Sequence, residues 1–312
     1  MKAGFGLRGA PPASFRVRGI RPRAGVVPGL FDSNDGRNAM LAEEKLRAGQ
    51  VEEALALLQD EVRKAPGNPK YRVFLFQLLS VLGRWDRALT QLKVAGDLDS
   101  QCLPMVQTYR ELLRCEVLRA QVFAGQKTPV LFGEPQQWAA LIVEALRLTA
   151  EDKHAEAETL RAQAFEAAPT TSGTIDGKRF EWIADGDVRL GPVLEVVIHG
   201  RYAWLPFHQI RAIRVEAPKD LRDMVWMPVV LTVTTGAEMV AFVPTRYPGS
   251  ESHADGIVRL ARRTDWTEVP GGYVGIGQRV LATNDGDHAL LDVREIDLDV
   301  EPGADETTAA DG

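Results

Sequence analysis

A spacing of 34 residues between two similar segments constrains the fold of this chain more than any other feature of its sequence. The segment GQVEEAL, which begins at Gly49, aligns with the segment GRWDRAL, which begins at Gly83, and Leu58 then aligns with Leu92. A period of 34 residues is that of the tetratricopeptide repeat, a pair of antiparallel helices joined by a tight turn. In such a unit the glycine permits the turn and a small alanine lets the two helices pack closely. The sequence therefore predicts stacked helical hairpins.

The repeat signal continues, in weaker form, through the first half of the chain. A proline closes the second helix of such a unit, and Pro66 and Pro169 each lie twelve residues after an alanine of the pattern. Between these copies the pattern is degenerate, although residues 104–124 keep a helical periodicity. We expect about four helical hairpins between residues 40 and 168. Such hairpins stack into a solenoid whose concave side is suited to a peptide or a helix.

After residue 170 the apolar period shifts towards two and Val and Ile become frequent, which is typical of β-strands. The runs predicted as strands are 192–198, 201–205, 210–215, 226–234, 237–243, 273–281 and 288–293, with a short helix at 251–263. The predicted fold class is α+β with two domains. A tetratricopeptide-like α-solenoid over residues 39–169 precedes a mostly antiparallel β domain over residues 170–298, which is either a sheet or a small, partly open barrel.

The two ends of the chain carry opposite charge and show no apolar periodicity. Residues 1–37 contain seven Lys and Arg against Asp32 and Asp35, whereas residues 299–312 contain five acidic residues and no basic one. We therefore expect a disordered basic extension over residues 1–38 and a disordered acidic tail over the last fourteen residues. A basic arm that touches nucleic acid or an anionic membrane is the alternative to a dispensable extension. The interior is net acidic, so no nucleic-acid partner is expected.

Motifs and composition argue against an enzyme, a metalloprotein and a disulfide-rich secreted protein. The two cysteines, Cys102 and Cys115, fit neither a CxxC redox motif nor a zinc ribbon. The sequence contains no GxxxxGK[ST] phosphate loop, GxSxG elbow or HExxH motif. It also contains no apolar run long enough to span a bilayer or to act as a secretory signal. We expect a cytoplasmic, non-enzymatic protein with no catalytic residues, no cofactor, no metal site and no membrane span.

Several longer segments resemble one known family. They are RVFLFQLLSVLGRWDRALTQLKVAGDLD, LPMVQTYRELLRCE, FEWIADGDVRLGPVLE, GRYAWLPF, DLRDMVWMP and PTRYPGSE. The resemblance extends over about residues 40–298 and is to the ImpE/TagJ family of type VI secretion accessory proteins. It implies a tetratricopeptide-like helical domain followed by a β-rich domain. It also implies an adaptor that binds the N-terminal helix of the small contractile-sheath subunit and modulates sheath assembly or recycling, with an indirect link to the ClpV-type unfoldase.

The repeat register predicts which side chains line the concave surface. When the turn glycine is placed at position 15 of the repeat, positions 5, 9 and 12 of the first helix are Val73, Gln77 and Ser80, which lie on one helical face. Gln107 and Arg110 extend this surface into the next, degenerate unit. We expect these five residues to bind the partner helix.

The segment PTRYPGSE contains the other candidate binding residues. Arg246 offers a planar, five-donor fork beside the ring of Tyr247, which suits a partner carboxylate or the end of a helix. The alternative is that Arg246 ties this loop to an acid of the helical domain. Nearby, Asp220, Arg222 and Asp223 are expected to form an internal ion-pair cluster. A second class of function also stays open: an enzyme or small-molecule-binding protein with a pocket in the β domain, formed by Arg246, Tyr247 and His208.

Overall fold

The computed structural model of the chain describes residues 37–133 and 136–301. Within these residues, the helices are α1 (Arg37–Arg47), α2 (Val51–Lys64), α3 (Pro69–Val81), α4 (Trp85–Leu98), α5 (Leu103–Phe123), α6 (Gln137–Ala150), α7 (His154–Ala167) and the short α8 (Gly256–Arg259). Three pairs pack as hairpins: α1 with α2, α3 with α4, and α6 with α7. None of the described helices is long and apolar enough to cross a membrane.

Glycine turns join the helices of the first two hairpins. Gly49 and Gly83 adopt φ values of +78° and +63°, in the left-handed region where glycine has no steric penalty. Ala54 and Ala88 are fully buried in the core. The structure thus confirms the turn and alanine positions of the predicted repeat.

The middle of the helical segment differs from the expected four hairpins. Helix α5 is 21 residues long and is followed by an extended segment instead of a second helix of the same hairpin. The chain turns at Gly125 (φ +70°) and passes through Pro129 into a two-residue strand, β1 (Val130–Leu131). Three hairpins and one long helix therefore replace the predicted four, because the chain leaves the helix at Gly125 and the segment that follows pairs with the edge of the sheet.

The second half of the chain forms short, mostly antiparallel strands. They are β2 (Gly173–Ile175), β3 (Lys178–Phe180), β4 (Ile183–Asp185), β5 (Val193–Ile198), β6 (Arg201–Pro206), β7 (Ile210–Val215), β8 (Trp226–Val233), β9 (Glu238–Pro244), β10 (Thr264–Val269), β11 (Gly272–Gly277), β12 (Val280–Thr283), β13 (Gly286–Ala289) and β14 (Glu295–Leu298). The large sheet has nine strands in the order β1-β6-β5-β9-β8-β7-β14-β2-β3. Its pairings are antiparallel except that of β1 with β6.

Two smaller sheets complete this half. Strand β12 lies between β13 and β4, and β10 pairs with β11 as a separate ribbon. The large sheet ends at β1 and β3 without closing on itself. Of the two architectures that the sequence left open, the structure is therefore the sheet and not the barrel.

Three predicted elements of this half are wrong in their extent. The run 273–281 breaks at Gly277 (φ +98°), so it forms two strands. The run 288–293 ends in a 3₁₀ turn over Leu290–Asp292. The helix predicted over 251–263 is reduced to the four residues of α8. In each case a turn residue or a local cap interrupts an apolar pattern that is continuous in the sequence.

One hydrophobic core joins the helices to the large sheet. Tyr109 of α5 lies 5.7 Å from the ring of Trp226 and 6.0 Å from that of Phe242. Phe123, at the other end of α5, lies 6.1 Å from Trp204. The buried apolar cluster includes residues of both halves of the chain. Helix α5 therefore attaches the helical layer to one face of the sheet.

The charged ends are described only in part. Helix α1 already includes Arg37 and Asn38, which the prediction placed in the basic extension. At the other end, the backbone N–H of Asp299 donates to the Ser172 carbonyl across 2.9 Å, and its carboxylate pairs with Arg179 at 2.5 Å. The first residue of the predicted acidic tail thus belongs to the fold. The remainder of the predicted extension and of the tail lies outside the described residues.

Candidate functional site

The face of α3 that was predicted to be an open, concave surface is covered by the β half of the same chain. Gln77 is 1% exposed, and its Nε2 donates to Asp220 Oδ2 across 3.2 Å. Arg222 pairs with Asp220 at 2.7 Å and lies 4.8 Å from the centre of the Tyr109 ring. The pair between Asp220 and Arg222 in the predicted cluster is confirmed. Gln77 is almost fully enclosed, because the 3₁₀ turn over Leu221–Met224 packs on this face.

Ser80 and Arg246 meet at the buried end of α3. The hydroxyl of Ser80 donates to the Phe76 carbonyl at 2.9 Å. The Arg246 guanidinium donates to the Val81 carbonyl at 2.7 Å and, over 3.4 Å, to that of Ser80. The last carbonyls of a helix lack partners within the helix and attract a cation. Arg246 thus ties its loop to the helical layer, with carbonyl oxygens in place of the acid considered from sequence, and neither residue lines an open surface.

Tyr247 is enclosed as well. Its hydroxyl donates to Asp185 Oδ1 at 2.9 Å and accepts from the Val280 backbone N–H at 3.0 Å. Burial raises the pKa of Tyr247 well above its ordinary value. His208 packs elsewhere, with its ring 5.9 Å from that of Trp138. Tyr247 and His208 therefore have different neighbours in the described structure.

A network of buried charges connects α5 with the β half. Arg119 of α5 donates to Glu195 of β5 at 2.7 Å, and Arg279 pairs with both Glu195 and Asp185. Burial alone would raise the pKa of Glu195, but the guanidinium groups of Arg119 and Arg279 outweigh it and lower the pKa to about 2. Burial raises the pKa of Asp185 to about 6, against the opposing charge of Arg279. Because these charges have partners inside the protein, the network holds the helices on the sheet.

The accessible part of the predicted surface is a groove between the start of α3 and the start of α5, which we term the α3–α5 groove. Its volume is about 220 Å³, and it is lined by Pro69, Lys70, Val73, Phe74, Gln77, Asp99 and Cys102. Val73 is half-buried there. The Oε1 atom of Gln77 is buried and accepts no hydrogen bond from any described residue.

Two exposed leucines flank this groove in the chain. Leu98 and Leu103, the neighbours of lining residues Asp99 and Cys102, are 42% and 47% exposed. Gln107 and Arg110 follow on α5 and are exposed. The repeat register predicts neither leucine as part of the surface. The signal that could have found them is their position at either end of the break between α4 and α5, where the repeat is degenerate.

Chemistry beyond binding has little support in the described part of the chain. No group of three or more His, Cys, Asp or Glu residues there is placed to hold a metal ion. Burial raises the pKa of the Cys115 thiol to about 12, so this cysteine is not an activated nucleophile.

Family models, a curated relative and a solved structure match this chain. Residues 177–297 match the family model described as ImpE protein, and residues 45–112 match a tetratricopeptide repeat model. Over 264 residues the chain is 50% identical to the type VI secretion system accessory component TagJ of Pseudomonas aeruginosa. The matched segment covers 85% of this chain and 93% of TagJ. A crystal structure of protein VPA1032 from Vibrio parahaemolyticus is similar in fold, with a TM-score of 0.75 and 22% identity over 83% of this chain and 97% of that chain.

Proposed function

This chain belongs to the ImpE/TagJ family, and on that premise we propose that it is a non-enzymatic accessory component of a bacterial type VI secretion system. The match to a relative of that name extends over most of both chains, and the helical half contains repeats of a kind that commonly binds peptides. In this role the protein acts in the cytoplasm and uses no cofactor.

The partner we assign to it is the N-terminal helix of the small sheath subunit. An amphipathic helix docks through apolar residues at i, i+3, i+4 and i+7 into an apolar groove. The α3–α5 groove supplies such a surface through Val73, with Leu98 and Leu103 beside it. The observation that carries this assignment is that both exposed leucines lie next in the chain to residues that line the groove, since grouped exposed apolar side chains mark an interaction surface.

The buried amide of Gln77 adds a polar contact at the floor of the groove. Its Oε1 accepts no hydrogen bond from the described residues, and an unpaired buried carbonyl oxygen costs about 1 to 3 kcal/mol. The first turn of a helix has backbone N–H groups without partners within the helix. A partner helix that enters with its N-terminus over Gln77 satisfies both groups. Binding there modulates sheath assembly or recycling and links the protein indirectly to the ClpV-type unfoldase.

The test is the affinity of the full chain for a synthetic peptide of the sheath N-terminal helix, measured by fluorescence anisotropy. Val73→Glu combined with Leu103→Glu places one charge in the α3–α5 groove and a second at the chain neighbour of its lining residue Cys102. We expect at least a tenfold rise in Kd, about 1.4 kcal/mol, with an unchanged circular dichroism spectrum.

A matched control is Val240→Glu, since Val240 is 63% exposed on β9 and lies outside the groove. This variant should bind the peptide as the parent does. Equal affinity of the groove variant and the parent would show that the helix docks elsewhere. Absence of binding by the parent would refute the partner itself.

A further inference from the structure

A second cleft, larger than the α3–α5 groove, lies between α7 and the β10–β11 ribbon. Its volume is about 630 Å³, and it shares no lining residue with that groove. Its lining includes Phe165 and Arg161 from α7, and Val269 and Tyr273 from the ribbon. No part of the proposed secretion role uses this cleft.

Arg161 is a buried cation that has no carboxylate partner in the described structure. It is 6% exposed, and its guanidinium donates to Thr149 Oγ1 at 3.1 Å and to the Pro270 carbonyl at 3.3 Å. No described carboxylate oxygen forms a salt bridge with it within 4.0 Å. Burial lowers the pKa of Arg161, while Glu158 and Asp187 favour its charge from a greater distance.

The nearby acids do not neutralise Arg161. Asp187 is already bound to Arg189 at 2.5 Å and accepts the backbone N–H of Gly275 at 3.0 Å. Glu158 is exposed and lies on the side of α7 that lines the cleft. Arg119 and Arg279 are buried as deeply and differ in this respect, since each contacts a carboxylate. Arg246, the other buried arginine without a described salt bridge, donates to three backbone carbonyls, whereas Arg161 donates to one. A buried guanidinium with three N–H groups to spare is costly unless an anion pairs with it.

The surroundings of Arg161 define the kind of anion. Phe165 and Val269 give the cleft apolar walls, which suit a hydrocarbon group more than a hydrated ion. Glu158 and Glu268 are exposed members of the lining, and their negative charge disfavours phosphate and other multiply charged anions. A planar carboxylate matches the planar fork of arginine.

We propose that this cleft binds a carboxylate attached to an apolar group, with the carboxylate paired to Arg161. The acidic side chain of an apolar peptide segment and a small organic acid share this chemistry. Glu158 and Glu268 add a preference for a ligand that also carries a positive charge.

The proposal can be tested on the full chain labelled with ¹⁵N-arginine. The Nε–H signal of Arg161 is identified by its loss in Arg161→Gln. The probes are phenylacetate, its neutral analogue phenylacetamide, inorganic phosphate, and two amidated peptides, Lys-Ala-Leu-Asp-Leu-Ala-Lys and the same sequence with Asn in place of Asp. We expect a saturable shift of the Arg161 signal with phenylacetate or with the Asp peptide. The probe with the lower Kd identifies the source of the carboxylate as a small organic acid or a peptide side chain.

The neutral analogue, the Asn peptide and phosphate should leave this signal unchanged at equal concentration. The binding probe should also raise the Tm of the protein. The probe concentration needed for a given rise in Tm should be at least tenfold higher for Arg161→Met than for the parent. The control is Arg147→Gln, which changes an exposed arginine of α6 and should respond to the probe as the parent does. The site is refuted if no carboxylate probe shifts the signal, if neutral probes shift it equally, or if Arg161→Met responds as the parent does.

Discussion

The guanidinium of Arg119 donates Nε–H to one carboxylate oxygen of Glu195 at 2.7 Å and Nη2–H to the other at 3.0 Å, so the two side chains form a buried, two-pronged contact. They are 76 residues apart in the sequence. Arg119 also donates to the Arg246 carbonyl at 2.8 Å. One side chain of α5 therefore holds both the central strand β5 and the loop that reaches the end of α3.

Replacement of Arg119 by methionine should be strongly destabilising. The change leaves Glu195 buried with Arg279 as its remaining guanidinium partner. Loss of one member of a buried charge cluster costs about 3 to 5 kcal/mol in the free energy of unfolding, which urea denaturation measures. Arg114→Met on the exposed side of the same helix removes a surface pair with Glu111 and should cost under about 1 kcal/mol. Similar losses in the two variants would contradict the structural role of the buried contact.

Asp185 should give the protein a distinctive pH dependence. Its pKa is raised from 3.8 to about 6, so between these values the folded protein holds a proton that the unfolded chain has released. Stability from this group is fully present below the unfolded pKa and is lost as the pH rises through about 6. Relative to Asp185→Asn, the parent should lose on the order of 2 to 3 kcal/mol in the free energy of unfolding between about pH 4 and pH 7.

This pH dependence is measured by urea denaturation at several pH values. Asp97→Asn, at an exposed position of α4, serves as the control and should follow the parent. The assignment would be contradicted if the parent gained stability relative to Asp185→Asn as the pH rises.

Ala88 should tolerate neither a larger nor a more flexible residue. It is fully buried on α4. Ala88→Trp overpacks this position and should lower the free energy of unfolding by about 1 to 3 kcal/mol or more, and Ala88→Gly should lower it by about 1 kcal/mol through helix propensity. Arg87→Trp, at the exposed neighbouring position, should stay within about 0.5 kcal/mol of the parent. Thermal and chemical denaturation measure these changes. An Ala88→Trp protein as stable as the parent would contradict the packing.

Arg246 should be required for the attachment of its loop to α3. Arg246→Met leaves the carbonyls of Val81 and Arg259 without this donor in a buried environment. We expect a loss of about 1 to 3 kcal/mol, which for a chain of this size lowers Tm by roughly 2 to 4 °C per kcal/mol. Arg246→Lys keeps a donor and should recover part of the loss.

The matched control for this prediction is Arg201→Met, at an exposed position of β6. It should leave Tm within about 2 °C of the parent. Calorimetry measures Tm for each variant. If Arg246→Met has the same Tm as the parent, these hydrogen bonds contribute no net stability.

The sequence by itself determined the helical repeat and most of the antiparallel strands. Gly49 and Gly83 adopt the positive φ that the repeat requires, and Ala54 and Ala88 occupy the close contacts that need a small side chain. These features are local: a turn and a helix pair depend on residues within one repeat, so their spacing is visible in the sequence. The longer segments also showed the resemblance to one family, which the match to TagJ confirmed.

Only the tertiary structure decided which surface remains open. Gln77 contacts Asp220, 143 residues later, and Arg246 reaches Val81 from 165 residues away. Helix α3 is buried around most of its circumference, and its apolar run FLFQLLSV indicates a helix covered on several sides. Periodicity identifies the apolar faces of a helix but not the element that covers each of them. That element comes from a distant part of the chain, because burial is a property of the assembled layers and not of one helix.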